Sequence, residues 1–120
     1  MKREIIITSD GSSTIHLPEW NEQYHSKHGA IQEAKHVFIN SGLKLFSNKE
    51  VRVLEIGFGT GLNCFITLQE AVTLNLHVNY LGIEAYPVEY EEVEKLNYVE
   101  ELKAEELKNE YNLMHLSPWG

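Results

Sequence analysis

Cysteine is almost absent: Cys64 stands alone in a chain of 120 residues. An internal disulfide is therefore excluded, and a reducing, cytoplasmic setting is expected. Aspartate is equally scarce, with Asp10 the only one. No apolar run approaches the roughly 20 residues of a membrane span. Met1-Lys2-Arg3-Glu4 opens basic but lacks the apolar stretch of a secretory signal. Internal repeats and low-complexity segments are missing too. So is a basic patch. The formal net charge is −8, and Glu84 to Glu110 alone holds ten Glu against three Lys, a local net of −7. The remainder has eight acids and seven bases, a net of −1. The segment carries no electrostatic footprint for nucleic acid. Its acidic stretch reads as a solvated helical face.

What is present is enough for one domain with one core. Residues 3–17 read as a β-hairpin, with Ile5-Ile6-Ile7 and Thr14-Ile15-His16-Leu17 as strands. Ser9-Asp10-Gly11-Ser12 forms the turn, and Pro18 ends the second strand. Residues 19–28 show no clear period. Ile31, Ala34, Val37 and Phe38 share one face of a helix from Ala30 to Ile39, closed at Ser41-Gly42 with Gly42 as the residue after the cap. A short helical turn over Leu43–Phe46 and a loop over Ser47-Asn48-Lys49 follow. Val51–Ile56 has little alternation, as expected of a strand buried on both faces of a parallel sheet. Leu62–Leu74 reads as a mostly apolar helix that packs heavily, and Val78–Ile83 as a second buried strand. Together these make a βαβ unit. Pro87 suits the first turn of a helix carrying Tyr90, Val93, Leu96 and Val99. Leu102 and Leu107 mark another helical stretch. Leu113-Met114-His115-Leu116 reads as a short strand broken by Ser117-Pro118-Trp119-Gly120. The expected division is a hairpin over 1–18, a helical lead-in over 19–50, and the first half of an α/β core over 51–120.

The chemistry concentrates after the first core strand, in Leu54-Glu55-Ile56-Gly57-Phe58-Gly59-Thr60-Gly61-Leu62-Asn63. A loop there lies at the carboxyl end of the sheet, where open α/β folds bind ligands. Gly57, Gly59 and Gly61 let the backbone turn tightly and approach a ligand closely. A dinucleotide fingerprint would place its third glycine at position 62, which is Leu62 here, and no Gly-Lys-Ser/Thr of a phosphate loop follows. Glu55 would repel pyrophosphate and attract an ammonium. Glu84, at the end of the next strand, is placed to accept hydrogen bonds from ribose hydroxyls. The pair fits S-adenosylmethionine, with its amino-acid end near Glu55 and its ribose at Glu84.

Three blocks of sequence carry a resemblance to a known family. They are Tyr24-His25-Ser26 with Gly29-Ala30, Glu33 and His36-Val37-Phe38-Ile39; the string from Leu54 to Asn63; and Tyr80-Leu81-Gly82-Ile83-Glu84-Ala85-Tyr86-Pro87. Over roughly residues 20–90 the chain resembles the MnmC/MnmD-type methyltransferase domain, which modifies the tRNA wobble uridine. The resemblance implies a Rossmann-like S-adenosylmethionine-dependent methyltransferase fold, incomplete here and preceded by the hairpin. It implies methyl transfer to the exocyclic amine of 5-aminomethyl-(2-thio)uridine, with tRNA as partner. By position, Glu55, Gly57, Phe58, Gly59, Thr60, Gly61 and Asn63 are expected at the methionine side and Glu84 at the ribose, with Tyr24 and Ser26 closing over the cofactor. The family's later Asp-x-Phe-Ala-Pro segment, source of its expected catalytic acid, does not occur in these residues. The chain is accordingly expected to be the N-terminal portion of such an enzyme, binding cofactor without turnover.

Other readings stand beside this one. An NAD- or FAD-binding module of an oxidoreductase acting on CH–NH groups would use a similar loop, and a non-catalytic module would use the glycines for packing alone. His25, His28 and His36 lack the extra ligands of a metal site and read as loop and surface residues. By resemblance, His25 touches ligand. Cys64 reads as a buried small hydrophobe, and Tyr86 as either a stacking partner for adenine or a packing residue.

Overall fold

The computed structural model describes residues 2–46 and 49–118. The loop expected at Ser47-Asn48 and the break at Trp119-Gly120 lie outside the described residues. An antiparallel sheet opens the chain, with β1 (Glu4–Ile7), β2 (Ser13–Leu17) and β3 (Glu22–Gln23) in the order β1-β2-β3. The hairpin registers Ile5 with Ile15, and Gly11 takes φ 89° in its turn. The third strand falls in the polar stretch that has no sequence period. It pairs His16 with Gln23, whose side chains also hydrogen-bond at 2.8 Å.

Helix α1 (Ala30–Ala34) runs into a π-helical turn, Lys35–Asn40, and a single 3-10 turn covers Leu43–Leu45. The start of α1 is held by the hairpin turn. Thr8 Oγ1 accepts the Ala30 N–H at 3.1 Å, Ser12 Oγ the Ile31 N–H at 3.1 Å, and Asp10 Oδ2 the Gln32 N–H at 2.9 Å. Three of the four orphan donors of the helix are thus satisfied from a distant segment. Gly29 makes this possible, because a Cβ there would sit 2.7 Å from Asp10 Oδ2. Gly42 does not end the helix as a left-handed residue. Its φ is −133°, and what it needs is space, since a Cβ would lie 2.8 Å from the Phe38 carbonyl oxygen.

The expected βαβ unit is present: β4 (Glu50–Ile56), α2 (Leu62–Leu74) and β5 (His77–Ile83), with the strands parallel and Glu55 opposite Gly82. The expectation that these strands are buried on both faces is overturned. Their residues alternate, and of the fourteen only Glu55 is fully buried. One face carries Val51, Val53, Glu55, Val78, Tyr80 and Gly82. The other leaves Leu54 61%, Ile56 74%, Leu81 62% and Ile83 48% exposed. Apolar composition expresses a tendency to be covered; coverage itself needs a neighbour. Likewise α2 buries Leu62, Phe65, Ile66 and Thr67 but exposes Val72.

The acidic segment forms α3 (Tyr90–Val93), α4 (Tyr98–Glu101), a 3-10 turn (Glu105–Leu107) and α5 (Lys108–Leu116). Pro87 lies ahead of α3, whose N-cap is Glu89, and not in its first turn. The strand expected at Leu113–Leu116 is instead the end of α5, because Tyr111 and His115 pack one helical turn apart, with ring centroids at 5.0 Å. Val93, Leu96, Val99 and Leu102 face inward while most of the glutamates stay outside. The core therefore joins the hairpin, α1, α2 and α3–α5 around Ile15, Phe65, Ile66, Tyr98 and Tyr111. Each such fully buried large side chain contributes about 1.5–3 kcal/mol of transfer free energy. Asn97 ties these layers together: its Oδ1 accepts the Ser13 N–H at 2.7 Å and its Nδ2 donates to the Gly11 carbonyl at 2.9 Å.

Candidate functional site

The glycine loop leaves β4 and is fastened to the end of β5. Gly57 N–H donates to the Ile83 carbonyl at 2.7 Å and Gly59 N–H to Glu84 Oε1 at 2.7 Å. Gly57, Gly59 and Gly61 have φ values of 82°, 58° and 78°, the left-handed region that side chains disfavour. A Cβ at Gly82 would overlap the Phe58 ring, so the missing side chain in β5 lets that ring lie against the sheet. Phe58 meets the His115 ring edge-on at 5.8 Å.

Beneath the loop is a second layer. Thr60 is buried, its Oγ1 accepts from the Tyr98 hydroxyl at 3.1 Å, and its carbonyl accepts from the Tyr111 hydroxyl at 3.1 Å. Both phenols are pushed well above their ordinary range, chiefly by burial, and remain donors. Thr60 thus faces the core and anchors the loop to α4 and α5. Gly61 is buried beside His115, where a Cβ would lie 2.8 Å from Nε2. Burial holds the His115 imidazole below its ordinary value, so it is neutral near pH 7.

Above the loop is a cavity of about 300 Å³, within the size range of small-molecule sites. Tyr24, Glu55, Gly57, Phe58, Gly59 and Asn63 all line it. Those are six of the ten residues singled out by sequence. Tyr24 also packs against the loop: a Cβ on Gly59 would come 3.2 Å from its ring. Glu84 stands at the loop's edge, holding Gly59 through one oxygen and the Tyr86 N–H through the other at 3.2 Å. An ionised carboxylate has about four acceptor positions, so capacity for further donors remains. Ser26 lines a neighbouring surface depression with His28 and Gln32, its Oγ accepting the His28 N–H at 3.1 Å. Tyr86 is exposed.

Glu55 is the chemical centre of the cavity. Tyr80 donates from its hydroxyl to Oε1 at 2.7 Å, and Asn63 from Nδ2 to Oε2 at 2.7 Å. Burial raises the Glu55 pKa, and the Glu84 charge adds to this, while the two hydrogen bonds work against it. The result is a carboxyl group held above its ordinary range in a cavity wall, an environment typical of functional sites.

Sequence reasoning did not single out Tyr80, nor the wall made by Ala34, Val37 and Phe38 of α1 and the π-helical turn. The available signal was Tyr80 itself, a phenol between Val78 and Gly82 on the face of β5 that carries no other polar side chain. His25 lines the cavity, its Nδ1 lies 2.8 Å from Thr14 Oγ1, and burial pulls its pKa down to about 4. Among the described residues no group of three or more His, Cys, Asp or Glu is arranged to hold a metal ion. Cys64 is half-buried, not fully buried as expected, and its thiol is pushed up to about 12 by burial and the Glu55 charge. A thiol so shifted is a poor nucleophile. Among the described residues no helix is long and apolar enough to cross a membrane.

No protein-family model matches the chain. Among individual proteins, it is 32% identical over 102 residues to the tRNA 5-methylaminomethyl-2-thiouridine biosynthesis bifunctional protein MnmC of Leptospira interrogans serovar copenhageni, covering 78% of this chain and 16% of that protein. The protein of the same name from Acidovorax sp. is 35% identical over 82 residues, covering 62% of this chain and 13% of that one. Among solved structures, MnmC2 from Aquifex aeolicus superposes with a TM-score of 0.61 at 32% identity, covering 72% of this chain and 30% of that one. The chain thus spans about one sixth of the length of the Leptospira relative. It is an MnmC-type sequence, related over most of its own length to one segment of those longer proteins.

Proposed function

We propose that this chain binds S-adenosylmethionine and forms the cofactor-binding part of a methyltransferase acting on the tRNA wobble uridine. The observation that carries the reading is Glu55, a buried carboxylate in the wall of the glycine-loop cavity. Neutral donors occupy one position on each of its oxygens, and a cation suits what remains. The α-ammonium of the methionine moiety supplies that cation. Gly57 and Gly59 bring the backbone within reach of the ligand. Glu84 would receive the ribose hydroxyls while it holds the loop, and Tyr24 would close the cavity from the far side.

When bound, S-adenosylmethionine supplies an electrophilic methyl on a sulfonium. The chain's task is to bind, orient and exclude water, so that an amine meets the methyl in line. The relatives' names speak of 5-methylaminomethyl-2-thiouridine biosynthesis in tRNA, and we assign the 5-aminomethyl group as the acceptor. Proton removal from that amine is assigned to no residue of this chain. The acidic surface of α3–α5 is unsuited to tRNA phosphates, so tRNA contact is assigned to other parts of the longer protein. That protein would act in the cytoplasm.

A dinucleotide reading, NAD or FAD, is favoured by one observation: an acid, Glu84, follows β5 where a ribose-binding acid is expected. Leu62 at the third-glycine position and Glu55 beside the would-be pyrophosphate speak against it. Calorimetry separates the readings. S-adenosylmethionine is expected to bind and Glu55→Gln to weaken that binding without abolishing it; binding of NAD or FAD in its place would overturn the proposal.

A further inference from the structure

We propose that Tyr80 is a positioning residue: through its hydroxyl it fixes the Glu55 carboxylate as the seat for a ligand cation. This rests on the S-adenosylmethionine reading for the identity of the ligand, though not for the geometry. Tyr80 lies on β5 opposite Val53 of β4, on the covered face of the sheet. Parallel register brings its hydroxyl to Glu55 Oε1, 25 residues away in sequence. Asn63, from the first turn of α2, takes Oε2. Donors from two different elements thus hold the two oxygens, and rotation of the carboxylate would break both bonds. The Tyr80 ring is braced in turn by Phe38, with ring centroids 6.4 Å apart. Phe38 belongs to the cavity wall.

The surroundings give the hydroxyl a second consequence. From α2, Cys64 faces the pair; from the end of β5, Glu84 adds a like charge; Glu33 and His25 line the same cavity. None of these supplies Glu55 with a positive charge near pH 7, because burial keeps His25 neutral. The anion is therefore sustained by neutral donors, and Tyr80 is one of two. Burial and the Glu55 charge keep the phenol protonated, so it donates throughout the usual pH range. Removing the hydroxyl leaves Glu55 oriented from one side only and favours its protonated form.

The test compares the full chain with Tyr80→Phe. In ligand-free protein, the Glu55 carboxyl is followed by carbon NMR of labelled glutamate, assigned with Glu55→Gln. The titration midpoint is expected to rise in Tyr80→Phe, and an unchanged midpoint overturns the proposal whatever the ligand is. Calorimetry then compares S-adenosylmethionine with 5′-methylthioadenosine, which lacks the amino-acid end. Tyr80→Phe is expected to weaken S-adenosylmethionine by about tenfold, the scale of one hydrogen bond to a charged group, and to leave methylthioadenosine unchanged. Equal loss for both ligands would mean a merely structural role and overturns the proposal. In a Glu55→Gln background the effect of Tyr80→Phe should vanish; persistence refutes it. A raised midpoint in a protein that binds neither ligand would sustain the positioning role and sink the cofactor reading.

Discussion

Asp10→Ala tests whether the hairpin turn holds the wall of the cavity. Asp10 Oδ1 accepts the Ser12 N–H at 3.0 Å and the Thr8 hydroxyl at 2.9 Å, and Oδ2 accepts the Gln32 N–H at 2.9 Å. Gln32 lies in the first turn of α1, so the carboxylate acts as an N-cap supplied from 22 residues away. Losing a cap costs about 1 kcal/mol, with a range of about 0.5–2 kcal/mol, and the turn loses its own brace as well. The expected destabilisation is about 1–2 kcal/mol. For a chain of 120 residues that lowers Tm by roughly 4 °C per kcal/mol. Chemical and thermal unfolding followed by circular dichroism reads it. Burial would raise the Asp10 pKa, but the hydrogen bonds from Ser12, Gln32 and Thr8 outweigh it and hold the group below its ordinary value. A depressed carboxylate stabilises fully above its unfolded pKa and loses that contribution as pH falls through the folded one. The gap between wild type and Asp10→Ala should therefore be full at pH 7 and narrow below about pH 4. A difference within about 0.5 kcal/mol at pH 7, the range of ordinary surface changes, or a gap that does not narrow in acid, would refute the reasoning.

Gly82→Ala places a Cβ into the Phe58 ring; overpacking of this kind costs about 1–3 kcal/mol, and unchanged urea unfolding would contradict the packing described. Tyr111→Phe removes the hydroxyl bonded to the buried Thr60 carbonyl, and an unpartnered buried acceptor costs about 1–3 kcal/mol. Hydrogen exchange should quicken in α5 and the glycine loop together, and loosening of α5 alone would show that the hydroxyl does not anchor the loop. Glu55→Gln should stabilise the ligand-free chain at pH 7–8. A carboxyl whose folded pKa is raised is destabilising when ionised, so the gain should shrink as pH falls through the folded value toward 4.5 and vanish below it; a variant less stable than wild type at pH 8 would count against it.

Legibility followed the range of the interactions. The hairpin, α2 and the β4–α2–β5 unit are written in local spacing, and their observed limits lie within a residue of those read from sequence. Of the loop glycines, Gly57 is required by positive φ alone, whereas Gly59 and Gly61 also lie too close to Tyr24 and His115 for a Cβ. Leu113–Leu116 misled because four residues, three of them apolar, fit either period; Tyr111, one turn earlier on the face that meets Phe65, decides for helix. The capping of α1 is hidden in the sequence, since Asp10 and Ser12 read as turn residues and Thr8 as nothing in particular until the fold brings Gly29 beside them. In the site, Glu55 and Asn63 share one local string and were found together. Tyr80 lies one strand away and joins them only through parallel pairing. Thr60 shared that string yet points into the core, because sequence adjacency does not say which side of a loop a side chain takes.

Position 55 is also where the proposed ligand site departs from a loop that only packs. Along the covered face of β4 the inward residues are Val51, Val53 and Glu55. Continuing the apolar series would serve stability better, because a desolvated carboxyl with a raised pKa opposes folding when ionised. The chain instead places an acid at the mouth of the glycine loop and commits Tyr80 and Asn63 to it. A purely structural loop gives no reason for that arrangement. The proposed cation site would, since the local loss would then be offset by ligand binding. The uncovered apolar face of the same sheet, with Leu54, Ile56, Leu81 and Ile83, lies on the side away from Glu55. Whatever covers that face therefore adds to stability without entering the cavity. The affinity of the Glu55 cavity and the stability of the sheet should respond to separate substitutions.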